Sequence, residues 1–125
     1  MWLVVLSISD LVKDASFNIA YWLFAFAYFQ TARRLPFHNE SEVPESVPRF
    51  ERKLNCIVLT FCVALPLADA ICVYAANSAF IAGQDSPYFT WLVAHIVVQS
   101  LDDLVKVTTL ICLAYAMVMI RAELT

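Results

Sequence analysis

Two short stretches place ionisable side chains inside otherwise apolar sequence. SISDLVK covers residues 7–13 and SLDDLVK covers residues 100–106, and the two agree at Ser, Asp, Leu, Val and Lys. A charge at the bilayer centre costs at least ~2.5–3.5 kcal/mol, so such groups usually have a role. The roles open to them are ion pairing between helices, proton or cation transfer, and binding of a polar ligand. Duplication of a helical unit and chance convergence both explain a match this short.

The composition is typical of a membrane protein. Of the 125 residues, 62% are apolar and 15% are charged, and the mean hydropathy is +0.72. Soluble domains are about half apolar and a quarter charged. The net charge of −3 and the lack of a basic run argue against nucleic acid as a partner. The expected partner is the lipid bilayer, with bound lipids, and the sequence identifies no cofactor.

Three apolar segments predict an all-α fold with three long transmembrane helices. They lie at about residues 2–32, 54–82 and 88–120. Each is longer than the ~20 residues that cross a bilayer core. A polar loop at residues 35–50 holds three of the five prolines and joins the first two helices, and the short turn AGQDSPY joins the last two. The chain is therefore predicted to form one up-down-up domain over residues 1–125.

The basic residues predict an orientation. Those that flank one side of the predicted membrane region are Arg33, Arg34, Arg49, Arg52, Lys53 and Arg121, whereas the AGQDSPY turn has none. By the positive-inside rule, the long loop and the C-terminus face the cytosol, or the matrix or stroma of an organelle, and Met1 faces the other side. The glycosylation sequon at residues 39–41 should then stay unmodified.

Polar side chains form one stripe on each predicted helix at 100° per residue. The stripes consist of Ser7, Asp10, Asp14, Asn18 and Tyr21 on the first helix, Asn55, Cys62 and Asp69 on the second, and His95, Gln99, Asp102, Lys106 and Thr109 on the third. Because lipid cannot solvate such a stripe, each should face other helices or a wet cavity. The ionisable groups also fall at similar depths on all three helices.

This layer is the candidate site for binding or assembly. It contains Asp10, Lys13, Asp14, Asp69, His95, Gln99, Asp102, Asp103 and Lys106. Asp102 and Lys106 are four residues apart with the acid first, which is the better order for a helical ion pair. Asp10 with Lys13, and Asp103 with Lys106, are three apart. Five acids face two lysines, so protonation, water, a cation, or a partner's Arg or Lys must complete the layer.

Two functions fit these observations. The first is a non-catalytic structural or assembly subunit of a larger membrane complex, in which buried polar groups fix the register of helices. The alternative is a self-associating ion or proton channel, transporter or receptor-like module that uses the acidic layer. The expected partners are accordingly other membrane subunits or further copies of the chain. No nucleophile set can be assigned, so the sequence predicts no catalytic residue and no metal site.

The run FNIAYWLFAFAYFQTARRLP, residues 17–36, resembles a segment of uncharacterised multi-span membrane proteins of fungi and ciliates. In those proteins an aromatic-rich helix ends in basic residues and is followed by a polar loop and two more helices. The resemblance covers most of the chain. It implies a helical membrane fold that corresponds to the C-terminal three-helix half of a seven-helix-like protein, and it supplies no active site.

Overall fold

A computed structural model describes residues 2–124, apart from the side chains of Leu3 and Glu40. The elements are α1 (Trp2–Arg34), a short 3-10 helix (Glu40–Glu42), α2 (Ser46–Ile81) and α3 (Asp85–Leu124). No strand occurs within residues 2–124. The all-α class and the three long helices that the sequence predicts are therefore confirmed.

The second helix begins earlier than predicted, at Ser46 instead of about residue 54, so residues 46–50 do not belong to the polar loop. Pro48 suggests a loop, but it lies in the first turn of α2. Proline is tolerated there because the first backbone N–H groups of a helix have no intrahelical acceptor. The added turns also bring Glu51, which is 2% exposed, against α1.

The third helix is also longer than predicted, and a tight turn precedes it. α3 begins at Asp85, whose acidic side chain in the first turn complements the positive end of the helix dipole. Before it, Gly83 adopts a positive φ of 72°. The N–H of Gln84 donates to the carbonyl of Ala79 at 2.9 Å, and that of Gly83 donates to the carbonyl of Phe80 at 3.1 Å. Only glycine adopts this conformation without steric cost, so the single glycine ends α2.

Each helix packs against the other two in an up-down-up bundle. Contacts run in opposite directions along α1 and α2 and along α2 and α3, but in the same direction along α1 and α3. The pairs that show these directions are Trp22–Asn55 and Gln30–Glu51, Asp69–His95 and Phe80–Tyr88, and Asn18–Asp102 and Phe29–Tyr115. The arrangement agrees with the predicted topology.

The bundle has a small core and an apolar exterior. The core is the cluster of Trp22, Phe26, Val58, Cys62 and Cys112, in which the side chains of Trp22 and Cys62 are fully buried. Large apolar side chains cover the outside of all three helices, including Phe17, Tyr21, Phe24 and Tyr28 of α1 and most of the leucines and isoleucines of α3. A soluble three-helix bundle would place such side chains inside and polar ones outside.

Two helices, α2 and α3, are long and apolar enough to cross a membrane. Within residues 2–124, α1 does not reach the same hydropathy. Of the three predicted spans, two are therefore apolar enough to cross a membrane. The reason for the lower hydropathy of α1 lies in its sequence, because Asp10, Lys13 and Asp14 occupy its first half and Asn18 and Gln30 interrupt its aromatic second half.

Candidate functional site

Glu51 joins α1 to α2 near the end of the bundle that carries most of the basic residues. Nη1 of Arg34 lies 3.0 Å from Oε2 of Glu51 and donates to Oε1 at 3.1 Å. Nε2 of Gln30 donates to Oε2 at 3.3 Å. The side chain of Glu51 is 2% exposed and that of Arg34 is 33% exposed. A buried carboxylate is thus held by one base and one amide, and we call these three residues the Glu51 cluster.

Asp102 joins α3 to α1 close to the midpoints of both helices. Nδ2 of Asn18 donates to Oδ1 of Asp102 at 3.0 Å, and Nζ of Lys106 lies 3.1 Å from Oδ2. The aliphatic stem of Lys106 runs along the surface, since its side chain is 56% exposed. Its ammonium group is also within Coulombic reach of Asp103 and Asp14. Asn18, Asp102 and Lys106 form the Asp102 cluster.

Asp69 joins α2 to α3 towards the opposite end of the bundle. Nδ1 of His95 forms a hydrogen bond with Oδ1 of Asp69, and Nε2 of Gln99 donates to Oδ2 at 3.0 Å. With the carboxylate ionised, the histidine nitrogen is the donor. His95 and Gln99 are four residues apart, so both project from one face of α3 towards Asp69. These three residues form the Asp69 cluster.

The three clusters share one design. In each, a carboxylate accepts from one basic side chain and one amide, so that both of its oxygens have a donor. Each cluster also connects a different pair of helices. A buried charge is tolerated only when it is paired and hydrogen-bonded. The clusters therefore fix the register of all three helix interfaces, and Trp22 adds a further link by donating to Oδ1 of Asn55 at 2.9 Å.

The structure brings together five of the nine predicted site residues. Asp69, His95 and Gln99 meet in one cluster and Asp102 and Lys106 in another, where the predicted pair forms an ion pair. The stripes on α2 and α3 face the bundle, as predicted. The side chains of Asp10, Lys13, Asp14 and Asp103 are exposed instead, and in the described chain none of these four residues forms an ion pair.

The predicted polar stripe of α1 is therefore wrong in part. Ser7 is half-buried, Asn18 is buried, and the exposed Asp14 and Tyr21 line a groove between α1 and α3, whereas Asp10 is exposed outside it. The side of α1 that packs against the other helices is set by Trp22, Ala25 and Phe26 and not by the acids. Burying aromatic surface stabilises the bundle more than burying acids that lack partners.

Several residues of the clusters were not predicted. The Glu51 cluster has no counterpart in the sequence-based prediction, because Glu51 directly follows the predicted loop and Arg34 predicts only the orientation. The predicted stripe of α1 includes Asn18, but the predicted site includes neither Asn18 nor Gln30. A usable signal is the set of five amides inside the apolar segments, because four of them, Asn18, Gln30, Asn55 and Gln99, make hydrogen bonds between helices.

A groove of about 970 Å³ opens between α1 and α3 beside the Asp102 cluster. Its walls are mainly apolar and include Phe17, Tyr21, Phe24 and Leu110, and its polar groups include Asp14 and Lys106. The groove is open to the outside of the bundle on the face where α1 exposes its aromatic side chains. Its lining suits an apolar ligand or side chain that also contacts a carboxylate or an ammonium group.

Among the described residues, the interior of the bundle has no buried polar side-chain atom without a hydrogen-bond partner. Among those same residues, no three His, Cys, Asp or Glu side chains lie close enough to hold a metal ion. The geometry is therefore that of closed, mutually satisfied clusters, which is the arrangement expected of groups that hold helices together.

Comparisons of the chain with models of protein families, with curated proteins and with solved structures find no match.

Proposed function

We propose that the chain is an integral membrane protein and acts as a non-catalytic structural subunit of a larger membrane assembly. The observation that carries the proposal is the reversed distribution of polarity. Ionic groups are paired inside the bundle, whereas the outside is covered with large apolar side chains. An apolar exterior requires lipid or protein around it, because water disfavours apolar patches of this extent.

The small buried fraction of α2 and α3 within the bundle supports their insertion into a membrane. The core helix of a soluble protein is mostly buried, whereas only 28% of the most apolar window of α2 and 11% of that of α3 are buried inside the bundle. Both helices also lie far from the N-terminus, unlike a signal sequence. At 1.5 Å per residue they are roughly 50–60 Å long, so they cross a 30 Å hydrocarbon core with tilt or with ends in the headgroup layers.

α1 is proposed as a third span because it accompanies the other two helices along the bundle. It contributes to the Glu51 cluster near one end and to the Asp102 cluster at its middle. Its packing against two apolar helices supports a position at their depth. Arg33 stacks on the ring of Phe50 at 4.8 Å, which suits a basic residue anchored at the membrane surface.

The exposed charges of the bundle support a role in assembly. Asp10, Lys13, Asp14 and Asp103 lie on the outside without an ion-pair partner among the described residues. Such groups are costly against lipid, so a neighbouring helix that supplies opposite charge stabilises them. The interior needs no such help, which favours an assembly surface on the exterior over a pathway through the bundle.

Mass measurement after purification in a mild detergent tests the proposal. We expect the chain to retain at least one different protein at fixed stoichiometry, because its exterior charges lack partners within the chain. Stringent detergent should release that protein while the three clusters keep the helices folded. A chain that carries no other protein from its native membrane contradicts the role of a subunit.

A self-associating channel, transporter or receptor-like module is the alternative, and the groove beside Lys106 is the observation that favours it. The groove reaches from the aromatic side chains of α1 to a carboxylate and an ammonium group. Under this alternative, copies of the chain without any other protein carry flux or bind a ligand in reconstituted vesicles. Neither activity is expected of a structural subunit.

We also propose that the connection between α1 and α2 faces the cytosol, matrix or stroma. A cysteine placed by Ser41→Cys lies in the 3-10 helix of this connection and is exposed. In sealed vesicles of known orientation, we expect a membrane-impermeant maleimide to label it only from the side that corresponds to the cell or organelle interior. A matched variant, Gln84→Cys in the opposite turn, should be labelled only from the other side. Labelling in the reverse pattern, or glycosylation of Asn39, contradicts this orientation.

A further inference from the structure

The side of α1 that faces away from the bundle carries a regular seam of exposed residues. Its members are spaced alternately four and three residues apart and are Leu6, Asp10, Lys13, Phe17, Ala20, Phe24, Ala27 and Thr31. All of them are exposed, while Asn18, Trp22 and Ala25 on the other side of the helix are buried. We call this set the outer seam. A repeat of seven residues is the pattern by which one helix packs along another in a left-handed coil.

The outer seam has the shape of a helix-packing surface. Ala20 and Ala27 are seven residues apart and alternate with Phe17 and Phe24. Small residues let two helices in a membrane approach closely, and large ones fill the layers between them. Tyr21 and Tyr28 flank the seam, and their rings lie 6.2 Å and 5.0 Å from those of Phe17 and Phe24. The seam and its aromatic flank also border the groove between α1 and α3.

The outer seam carries one acid and one base, so the charges of two copies of the seam can complement each other. Asp10 and Lys13 occupy neighbouring positions of the seam and have no ion-pair partner among residues 2–124. A twofold axis along the membrane normal brings residues of equal depth together. In a parallel coil each seam residue packs against the same residue of the partner and also against the partner's adjacent seam positions, so the long side chain of Lys13 reaches the partner's Asp10 one layer away, and the four charges of the two copies sum to zero.

We propose that the outer seam of α1 binds a second copy of this chain in a parallel, twofold-symmetric dimer. The dimer rests on the proposed insertion of all three helices into a membrane, which gives every copy the same orientation. An unrelated helix is a poorer occupant, because a seam with one acid and one base at similar depth selects a partner with the same pair in parallel register. The aromatic side chains beside the seam then enter the groove of the other copy.

Disulfide cross-linking tests the position of the interface. Phe17→Cys and Phe24→Cys place thiols seven residues apart on the outer seam. Leu104→Cys and Ile111→Cys are matched controls, since they are also seven apart, exposed, on α3 and at similar depth. In native membranes under mild oxidation, we expect dimers from the two α1 variants, with the parent chain giving the background from its own cysteines. Dimers that form equally from the α3 variants overturn the proposal.

A charge exchange tests the pairing. Lys13→Asp leaves only carboxylates in this part of the seam, and we expect the dissociation constant of the dimer to rise about tenfold, as for the loss of one strong polar contact between membrane helices. Lys13→Asp combined with Asp10→Lys restores opposite charges and should restore the dimer. Energy transfer between labelled copies, measured as lipid is added, gives the constants. Equal constants for all three chains overturn the pairing.

A separate measurement tests the membrane insertion that belongs to the proposed function. Alkaline extraction of the same membranes releases chains that are not integral, and release would overturn insertion and the dimer together. Retention of the chain without dimers of the Phe17→Cys variant overturns the dimer alone. Once Asp10 and Lys13 pair in the dimer, Asp14 and Asp103 are the exterior charges left for the different protein expected in mild detergent, so its retention is scored separately from the dimer.

Discussion

Arg34→Leu is expected to lower the free energy of unfolding in mild detergent by about 3 kcal/mol, because it leaves the carboxylate of Glu51 buried without a base. The side chain of Glu51 is 2% exposed, so water cannot replace the lost partner. The remaining donor is the Nε2 group of Gln30. This value is at the low end of the usual range for breaking a buried pair, since Arg34 itself is partly exposed.

The double change Arg34→Leu with Glu51→Leu should recover most of that loss. Replacing both members of a buried pair with apolar residues is often neutral or stabilising, because no charge stays desolvated. Arg49→Leu is the matched control, since Arg49 pairs with Glu45 3.9 Å away and both side chains are largely exposed. Exposed pairs contribute little. Thermal unfolding of the parent, the two variants and the control gives a midpoint for each chain. Equal midpoints for the parent and Arg34→Leu contradict a structural role of the Glu51 cluster.

The sequence was sufficient for the helices but not for all of their ends. Long apolar segments predict three helices and their order, because a helix makes the backbone hydrogen bonds of a whole segment within that segment, as an apolar setting requires. The start of α2 at Ser46 was not predictable from the segment itself, in which Pro48 and several polar residues suggest a loop. The first turns of α2 carry Glu51, which contacts Arg34 and Gln30 on another helix, and a contact of this kind is not visible in a local segment.

The candidate site was likewise predictable only where its contacts follow from spacing within one helix. The pairing of Asp102 with Lys106 follows from a spacing within one helix, and spacing is visible in a sequence. Asn18 contributes through a contact with a residue 84 positions away, which no local pattern gives. The prediction for Asp10 failed because a stripe fixes only the relative directions of its members, whereas Asp14 does line the groove between α1 and α3. Which side of α1 faces the core was decided by Trp22 and Phe26, whose burial outweighs that of unpaired acids.

Lys106→Leu is expected to destabilise the bundle more than Lys106→Leu combined with Asp102→Leu. The single change removes the base from Oδ2 of Asp102 and leaves the Nδ2 group of Asn18 as its remaining donor among the described residues. A buried carboxylate that loses its partner typically costs ~3–5 kcal/mol. The effect should fall near the low end of that range, because the side chain of Lys106 is 56% exposed. The double change removes the charge as well, so its stability should lie closer to that of the parent.

The same variants separate the two functions proposed for the chain. If the clusters only hold helices together, the unfolding midpoints follow the order parent, double variant, Lys106→Leu, and vesicles with any of them show no flux. If the groove beside Lys106 carries ions or binds a ligand, the double variant stays folded but loses flux or binding that the parent shows. Asp103→Leu is the matched control, since Asp103 neighbours the same ammonium group but is exposed and makes no ion pair in the described chain. A Lys106→Leu chain that matches the parent in both measurements shows that the Asp102 cluster has neither role, and the register of α1 against α3 then depends on the packing of Phe29 with Tyr115.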